Sequence, residues 1–390
     1  MNDFNSELEQ RLNLLREQNL FRELRRVDSP QSPRIQIGGK TFLNFSSNDY
    51  LGLANDRVLK EAAIHAVEKS GVGAGASRLI CGSLAPFHEL EGTLAAFKKT
   101  EAALSFSTGY ATAIGTICAL LGKDDVIILD KLVHASIVDA AKLSGAKIRI
   151  FAHNDPDDLE SKLKWARKNS AGQILIATES IFSMDGDTAP LREIVELKNK
   201  FGAWLMLDEA HATGIIGKNG RGLADEFGVS EQIEIQMGTL GKAFGASGGY
   251  ICGSRSLVDF LINRARSFIF STAPIPAVAA AATAAIQLVQ SHEGEAKRKK
   301  LFARIAELNS KLKIKNSKLH SAIVPLILGD ENKAVETAAK LREQNIFVPA
   351  IRYPTVARGK ARLRITLTAA HSTDDISELI HALKTLDIGH

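Results

Sequence analysis

Trp204-Leu205-Met206-Leu207-Asp208-Glu209-Ala210-His211, together with Thr239-Leu240-Gly241-Lys242-Ala243-Phe244-Gly245, decides how this chain is read. The first stretch is a short apolar run ending in a carboxylate, the pattern of a buried parallel strand. Asp208 is therefore expected at the strand's C-terminal end, where α/β proteins bind ligands. The second stretch sets Lys242 among glycine and small residues in a turn. A carboxylate at a strand tip, His211 just beyond it and a lysine in a glycine-rich turn suit a pyridoxal phosphate (PLP) site. There the lysine bonds the cofactor aldehyde and the acid pairs with the pyridine nitrogen. Either stretch alone is ordinary, since many strands end in Asp and most Gly-Lys turns are only turns. A Walker loop is excluded, because it needs Ser or Thr after the lysine and a glycine six residues before it, where this chain has Ala243 and Gln236.

Working outward, apolar runs at 103–106, 126–129, 148–151, 174–178, 205–207, 233–237 and 250–253 alternate with helical patterns. This predicts an α/β fold with a mostly parallel, doubly wound, seven-stranded sheet. After the first run, Ser107-Thr108-Gly109-Tyr110 opens a helix over 111–121. Free N–H groups at a helix start bind phosphate, which makes Gly109 and Tyr110 candidates, although an ordinary strand-to-helix turn fits that stretch equally well. At the next strand tip stands His134, placed to stack on a flat ring, and Glu179 to Asp187 follow the run 174–178. Four strand ends thus converge on one crevice.

Toward the N-terminus, leucines near helical spacing predict a helix over 1–26, ended by Pro30 and Pro33. A hairpin at 34–37 and 41–45 follows, joined by Gly38-Gly39. The polar stretch from Asn44 to Leu53 reads as a helix-capping loop ahead of a helix over 58–70. Gly71, Gly73 and Gly75 suggest a dinucleotide fingerprint, but that motif follows a strand and this one follows a helix. Glycines here let the backbone pass close to a ligand or another subunit. The chain divides into an N-terminal segment (1–50), a large domain (51–285) and a smaller α+β C-terminal domain (286–390), the last with helices over 295–312 and 332–344 and strands over 323–328 and 362–366.

With 390 residues, 45% hydrophobic and 24% charged, the composition is that of a soluble globular protein with a large core. The alanine-rich run 277–289 carries Thr283 and Gln287 and reads as a packed helix, not a membrane span. Charges at Asp3, Glu7, Glu9 and Arg11 argue against a signal peptide and point to the cytoplasm. Cys81, Cys118 and Cys252 lack paired spacing, so they are expected as buried thiols, with neither disulfides nor a metal site. The net charge of +5 is dispersed, which does not suggest nucleic acid, and the cluster Lys297 to Lys300 reads as a solvated helix face.

Several stretches, in order, resemble the α-oxoamine synthases, fold-type I PLP enzymes. They are NFSSNDYLGL from Asn44, GAGASRLICGS from Gly73, STGYA from Ser107, HAS from His134 and FSMDGD from Phe182. LDEAHATGIIG from Leu207, TLGKAFGASGG from Thr239, FSTAPIP from Phe270 and IRYPTVARGKARLRITLTAAH from Ile351 complete the set. The resemblance implies decarboxylative condensation of glycine with an acyl thioester. It runs closest to the branch that takes a pimeloyl thioester, carried on coenzyme A or acyl carrier protein. It implies that Lys242 holds the cofactor and moves the glycine α-proton, that Asp208 keeps the pyridine nitrogen protonated, and that His211 and Ser183 fix the ring oxygen and its surroundings. His134 would stack on the ring and contact substrate. Gly109, Tyr110 and Thr239 would bind the phosphate, with Ser271 or Thr272 from a second subunit, so that a homodimer shares its active sites. Arg22, Arg352 and Thr355 would meet the polar end of the acyl chain, and Arg364 and Asn48 the amino-acid end. Besides 5-aminolevulinate or sphingoid-base synthesis, which resembles the same motifs less well, two alternatives remain. One is an acetyl donor, which needs no distal cationic grip and is suggested by Cys81-Gly82. The other is a non-catalytic PLP-fold binding protein, against which the intact Lys242, Asp208 and His134 argue.

Overall fold

The computed structural model describes residues 3–312 and 321–386. Its strands in chain order are β1 (Arg34–Ile37), β2 (Lys40–Asn44), β3 (Ala102–Phe106), β4 (Val126–Asp130), β5 (Lys147–Phe151), β6 (Ile174–Glu179) and β7 (Trp204–Asp208). They continue with β8 (Ile235–Thr239), β9 (Gly249–Gly253), β10 (Ile323–Gly329), β11 (Ile346–Phe347), β12 (Ala350–Ile351) and β13 (Ala361–Thr366).

Seven of these form the main sheet in the order β3-β9-β8-β7-β6-β4-β5. β9 alone runs against its neighbours β3 and β8, and the other pairings are parallel. The inner strands β4, β6 and β7 are nearly continuous Val, Ile and Leu because helices cover both their faces. At the edge, β5 is largely open to solvent until Phe151, and its Arg149 lies over the Trp165 ring at 3.4 Å. All parallel strands end on one side of the sheet, so the residues just past Phe106, Asp130, Glu179, Asp208 and Thr239 share one crevice.

The C-terminal domain is built on the sheet β10-β13-β12, covered by Glu331–Glu343 and, elsewhere in the domain, Thr373–Thr385. The hairpin β1-β2 joins it by parallel pairing of β2 with β11. Segment 45–54 then crosses to the large domain, with Phe45 O accepting from Thr366 N at 2.9 Å and Tyr50 O accepting from Ala369 N at 2.8 Å. The alanine-rich helix Pro276–Gln290 packs against Arg57–Ser70 and Ala85–Lys98, its buried face formed largely by Ala279, Ala282, Ala285 and Ile286. Small side chains allow that close approach.

Three sequence expectations are corrected. The first helix spans only Phe4–Glu17, because Asn19 turns left-handed (φ 55°) and the chain runs on without regular structure. Of the cysteines only Cys252 is buried, while Cys118 is half-buried and Cys81 is exposed on the loop after Gly71. Within the cluster 297–300, Arg298 is buried, donating to Val289 O at 2.6 Å, while Lys299 and Lys300 are solvated.

Candidate active site

β7 delivers Asp208 to the crevice with only 5% of its surface exposed, and Ala210 N donates to its Oδ1 at 2.9 Å. Burial raises the Asp208 pKa, opposed by the charge on Lys242. Beside it, Glu179 at the end of β6 is 2% exposed and accepts from Ser183 N at 3.2 Å through Oε2. Its pKa is held well above the usual range by burial and by Asp208, against the pull of Lys242.

Lys242 rides on the loop after β8. Gly245 (φ 62°) presses this loop against segment 45–54, where an added Cβ would stand 2.5 Å from Leu53 C. Its ammonium end is enclosed, and burial pushes its pKa down to about 8 despite Asp208 and Glu179, with Arg364 adding to the fall. Lys242 Nζ lies 2.7 Å from His211 Nε2, and His211 Nδ1 lies 2.5 Å from Tyr50 Oη. Tyr50 Oη donates to Asn48 Oδ1 at 3.2 Å, and Arg364 Nη1 donates to the same oxygen at 3.1 Å. One proton arrangement satisfies the chain: Lys242 donates to His211, His211 Nδ1–H donates to Tyr50, and Tyr50 and Arg364 both donate to Asn48. It requires a neutral His211, and burial together with Lys242 holds the His211 pKa well below its ordinary value. Burial pushes Tyr50 up to about 12, so it stays a phenol.

Arg364, buried in β13, also donates from Nε to Ser183 O at 2.7 Å and from Nη1 to Thr366 Oγ1 at 2.9 Å. The C-terminal domain is thereby tied to the Ser183 loop, and Arg362 adds a bond to Met184 O at 3.1 Å. His134 caps the helix Ala135–Ser144, accepting from Ser136 N at 3.2 Å, and stands open to the crevice. At the end of β3, Thr108 Oγ1 accepts from Ala111 N at 3.0 Å and leaves the first-turn N–H groups of Gly109 and Tyr110 without helical partners. Gly249 of β9 permits this packing, since a Cβ there would stand 2.8 Å from Gly109 N. The Tyr110 hydroxyl donates to Asp139 Oδ2 at 2.6 Å. Thr239 Oγ1 accepts from Gly241 N at 3.2 Å and donates to Gly248 O at 3.0 Å, which shapes the lysine loop.

Other expected residues lie apart from this cluster. Ser271 and Thr272 sit beside Ser107 and Arg78, with Thr272 bridged to Ser77. Arg22 and Arg352 line a separate cleft of about 520 Å³ with Arg25 and Arg342. There Arg352 Nη2 donates to Phe21 O at 3.0 Å and its Nε has no partner among the described residues. Thr355 is exposed on the following turn. Two crevice residues, Glu179 and Tyr50, had not been singled out from sequence. Both stood inside motif stretches, but neither residue type signals such a role without its neighbours in space.

A family model described as aminotransferase class I and II matches residues 40–383. The chain belongs to the aminotransferase class I and II family. Within that family, the 8-amino-7-oxononanoate synthase of Geotalea daltonii is 47% identical over 386 residues, covering 98% of this chain and 97% of that protein. Among solved structures, the serine palmitoyltransferase from S. paucimobilis, with PLP and myriocin bound, superposes with a TM-score of 0.92 at 30% identity over 98% of each chain. The 8-amino-7-oxononanoate synthase from Francisella tularensis gives 0.76 at 30% identity, over 89% of this chain and 98% of that one. The crevice residues fit the PLP such family structures hold. They supply an amine, a buried strand-tip carboxylate and a helix start for a phosphate. Among the described residues no cluster suited to a metal ion occurs.

Proposed function

We propose that the protein is a PLP-dependent acyltransferase that condenses glycine with a pimeloyl thioester, releasing CO2 and the thiol carrier and forming 8-amino-7-oxononanoate for biotin synthesis. The hydrogen-bonded chain from Lys242 through His211, Tyr50 and Asn48 to Arg364 carries this reading. It joins a proton-moving amine to a carboxylate-binding guanidinium inside one crevice.

PLP, when bound, supplies an electron sink that makes the glycine α-carbon acidic near neutral pH and permits loss of the carboxylate. Asp208 holds the proton on the pyridine nitrogen, and Lys242, with its pKa down near 8, takes and returns the α-proton. Arg364 and Asn48 orient the glycine carboxylate, with the guanidinium as the paired donor. His134 would stack on the ring, and Ser183 and His211 would hold the ring oxygen. Gly109, Tyr110 and Thr239 receive the phosphate. Arg22 and Arg352 receive the distal carboxylate of the pimeloyl chain, with Thr355 beside them. Each guanidinium raises the cost of the other's charge until an anion arrives, in keeping with the lowered Arg352 pKa, which burial and then Arg22 produce. An acetyl group would leave that cleft unused, so the arginines favour the longer donor.

The protein works as a homodimer in the cytoplasm, with Ser271 or Thr272 of one subunit reaching the phosphate of the other. Exposed Val72, Leu79 and Ile80 on one loop and Phe270 and Ile275 on the segment bridged to it form an apolar surface suited to a second copy. Among the described residues no helix is long and apolar enough to cross a membrane. Sedimentation of the purified holoenzyme as a monomer would remove the dimer.

The deciding measurement is glycine-dependent thiol release from pimeloyl-CoA, acetyl-CoA and succinyl-CoA in parallel. Preference for pimeloyl-CoA is expected. Preference for acetyl-CoA would refute the assignment of the arginine cleft, and no release from these donors or from pimeloyl-acyl carrier protein would refute turnover.

A further inference from the structure

β5 ends at Phe151, and the turn beyond it leans over the tips of β4 and β6. There His153 Nδ1 lies 3.0 Å from Asp130 Oδ1, and its Nε2 lies 2.8 Å from Asp187 Oδ2. An ionised carboxylate only accepts, so a ring meeting one at each nitrogen donates at both and is an imidazolium. Asn154, left-handed at φ 55°, completes the junction. Its N donates to Asp130 Oδ2 at 3.0 Å, and its Nδ2 donates to Asp187 Oδ2 at 3.0 Å and to Thr188 O at 3.1 Å. The charged groups facing the ring are Asp130 from β4 and Asp187 from the 182–187 loop, and Phe182 stands edge-on at 4.3 Å between ring centroids. Burial disfavours the cation, but hydrogen bonds to the two carboxylates overcome it and push the His153 pKa up to about 10.

Both carboxylates belong to segments that present crevice residues. Asp130 Oδ1 also accepts from Leu132 N at 2.8 Å, at the start of the turn that leads to His134. Asp187 closes the loop holding Ser183, with Asp187 O accepting from Phe182 N at 3.0 Å and Phe182 O accepting from Gly186 N at 2.8 Å. We propose that His153 is a positioning residue, whose imidazolium ties the His134 turn to the Ser183 loop and so sets the width of the crevice between them. It touches neither cofactor nor substrate. The proposal rests on the PLP reading of the crevice.

Three measurements test it in the holoenzyme. In protein labelled with 15N-histidine, the His153 ring, assigned by its loss in His153→Gln, should show both nitrogens protonated at pH 8. Released PLP should reveal a dissociation constant at least about tenfold higher in His153→Gln, with kcat lowered similarly and the KM for the thioester within about twofold, because the distal arginine cleft is untouched. The third is pH-dependent stability. A cation whose pKa is raised from 6.5 to about 10 contributes stability in full below 6.5 and loses it as pH rises through about 10. The wild-type melting temperature should therefore approach that of His153→Gln toward pH 10. A His153 titration near 6.5, or unchanged PLP affinity in His153→Gln, would overturn the clamp. Should His153→Gln not fold, Asp187→Asn removes one partner at the surface, and wild-type PLP affinity with an unmoved His153 titration there would overturn it as well. None of these readouts except kcat and KM uses an acyl donor. Failure of the clamp is therefore distinguishable from failure of the proposed reaction.

Discussion

Replacing Lys98 with Met should destabilise the enzyme sharply, because Lys98 neutralises the residue next to Asp208. Glu209 is fully buried, and its carboxylate pairs with Lys98 Nζ, whose side chain is only 2% exposed. Among the described residues, the other donor to that carboxylate is Ala224 N, at 3.0 Å from Oε1. Lys98 also donates to Arg221 O. Gly222 (φ 121°) leaves room for the carboxylate, since a Cβ there would stand 2.5 Å from either oxygen. Removing one partner of a buried pair leaves an uncompensated charge, at a cost of about 3–5 kcal/mol. For 390 residues at about 2.1 cal/mol/K each, that lowers the melting temperature by about 4–6 °C for a two-state transition. Differential scanning calorimetry with PLP saturating in every sample reads it directly. The double variant Lys98→Met/Glu209→Gln keeps an acceptor for Ala224 N without the charge and should recover at least half of the loss. A single variant melting within about 1 °C of wild type, or a double variant less stable than the single, would refute the reasoning. Because Glu209 N donates to Met237 O at 2.9 Å directly after Asp208, the single variant should also bind PLP more weakly.

Lys242→Ala should lower glycine-dependent thiol release by about 10³-fold or more, measured in single-turnover assays at saturating donor. The rate at which PLP reconstitutes the apoenzyme should climb as pH rises through about 8 and then level, because only the neutral Lys242 amine bonds the aldehyde; a flat stopped-flow profile would contradict the lowered pKa. Gly249→Ala drives a methyl group to 2.7 Å from Gly109 Cα, and should cost about 1–3 kcal/mol of stability and weaken PLP binding by equilibrium dialysis. Arg352→Ala should raise the KM for pimeloyl-CoA by about 10–100-fold with the KM for glycine unchanged. Arg22→Ala leaving that constant unmoved would remove Arg22 from the donor cleft.

Much of the large domain was legible because each strand of the main sheet is a compact apolar run between helical patterns, and inner parallel strands buried on both faces have no other way to read. Asp208, Lys242, His134 and Ser183 were legible for a related reason: each follows directly from a strand end, so predicting the strand places the residue at the crevice. The first helix was overextended because its leucines continue the spacing past Glu17, and none of that helix is buried. Cys81 and Arg298 went the other way from expectation, since the burial of one residue depends on what lies opposite it.

By itself the sequence determined the sheet, the family and its PLP cofactor, because these are written in local runs and short motifs. Only the tertiary structure decided what joins those points. Tyr50 reaches His211 across 161 residues, Arg364 reaches Ser183 across 181, Lys98 reaches Glu209 across 111, and His153 spans Asp130 and Asp187. The pKa values of Lys242 and Glu179 likewise exist only after folding, because desolvation and neighbouring charge are properties of the assembled crevice and not of any segment.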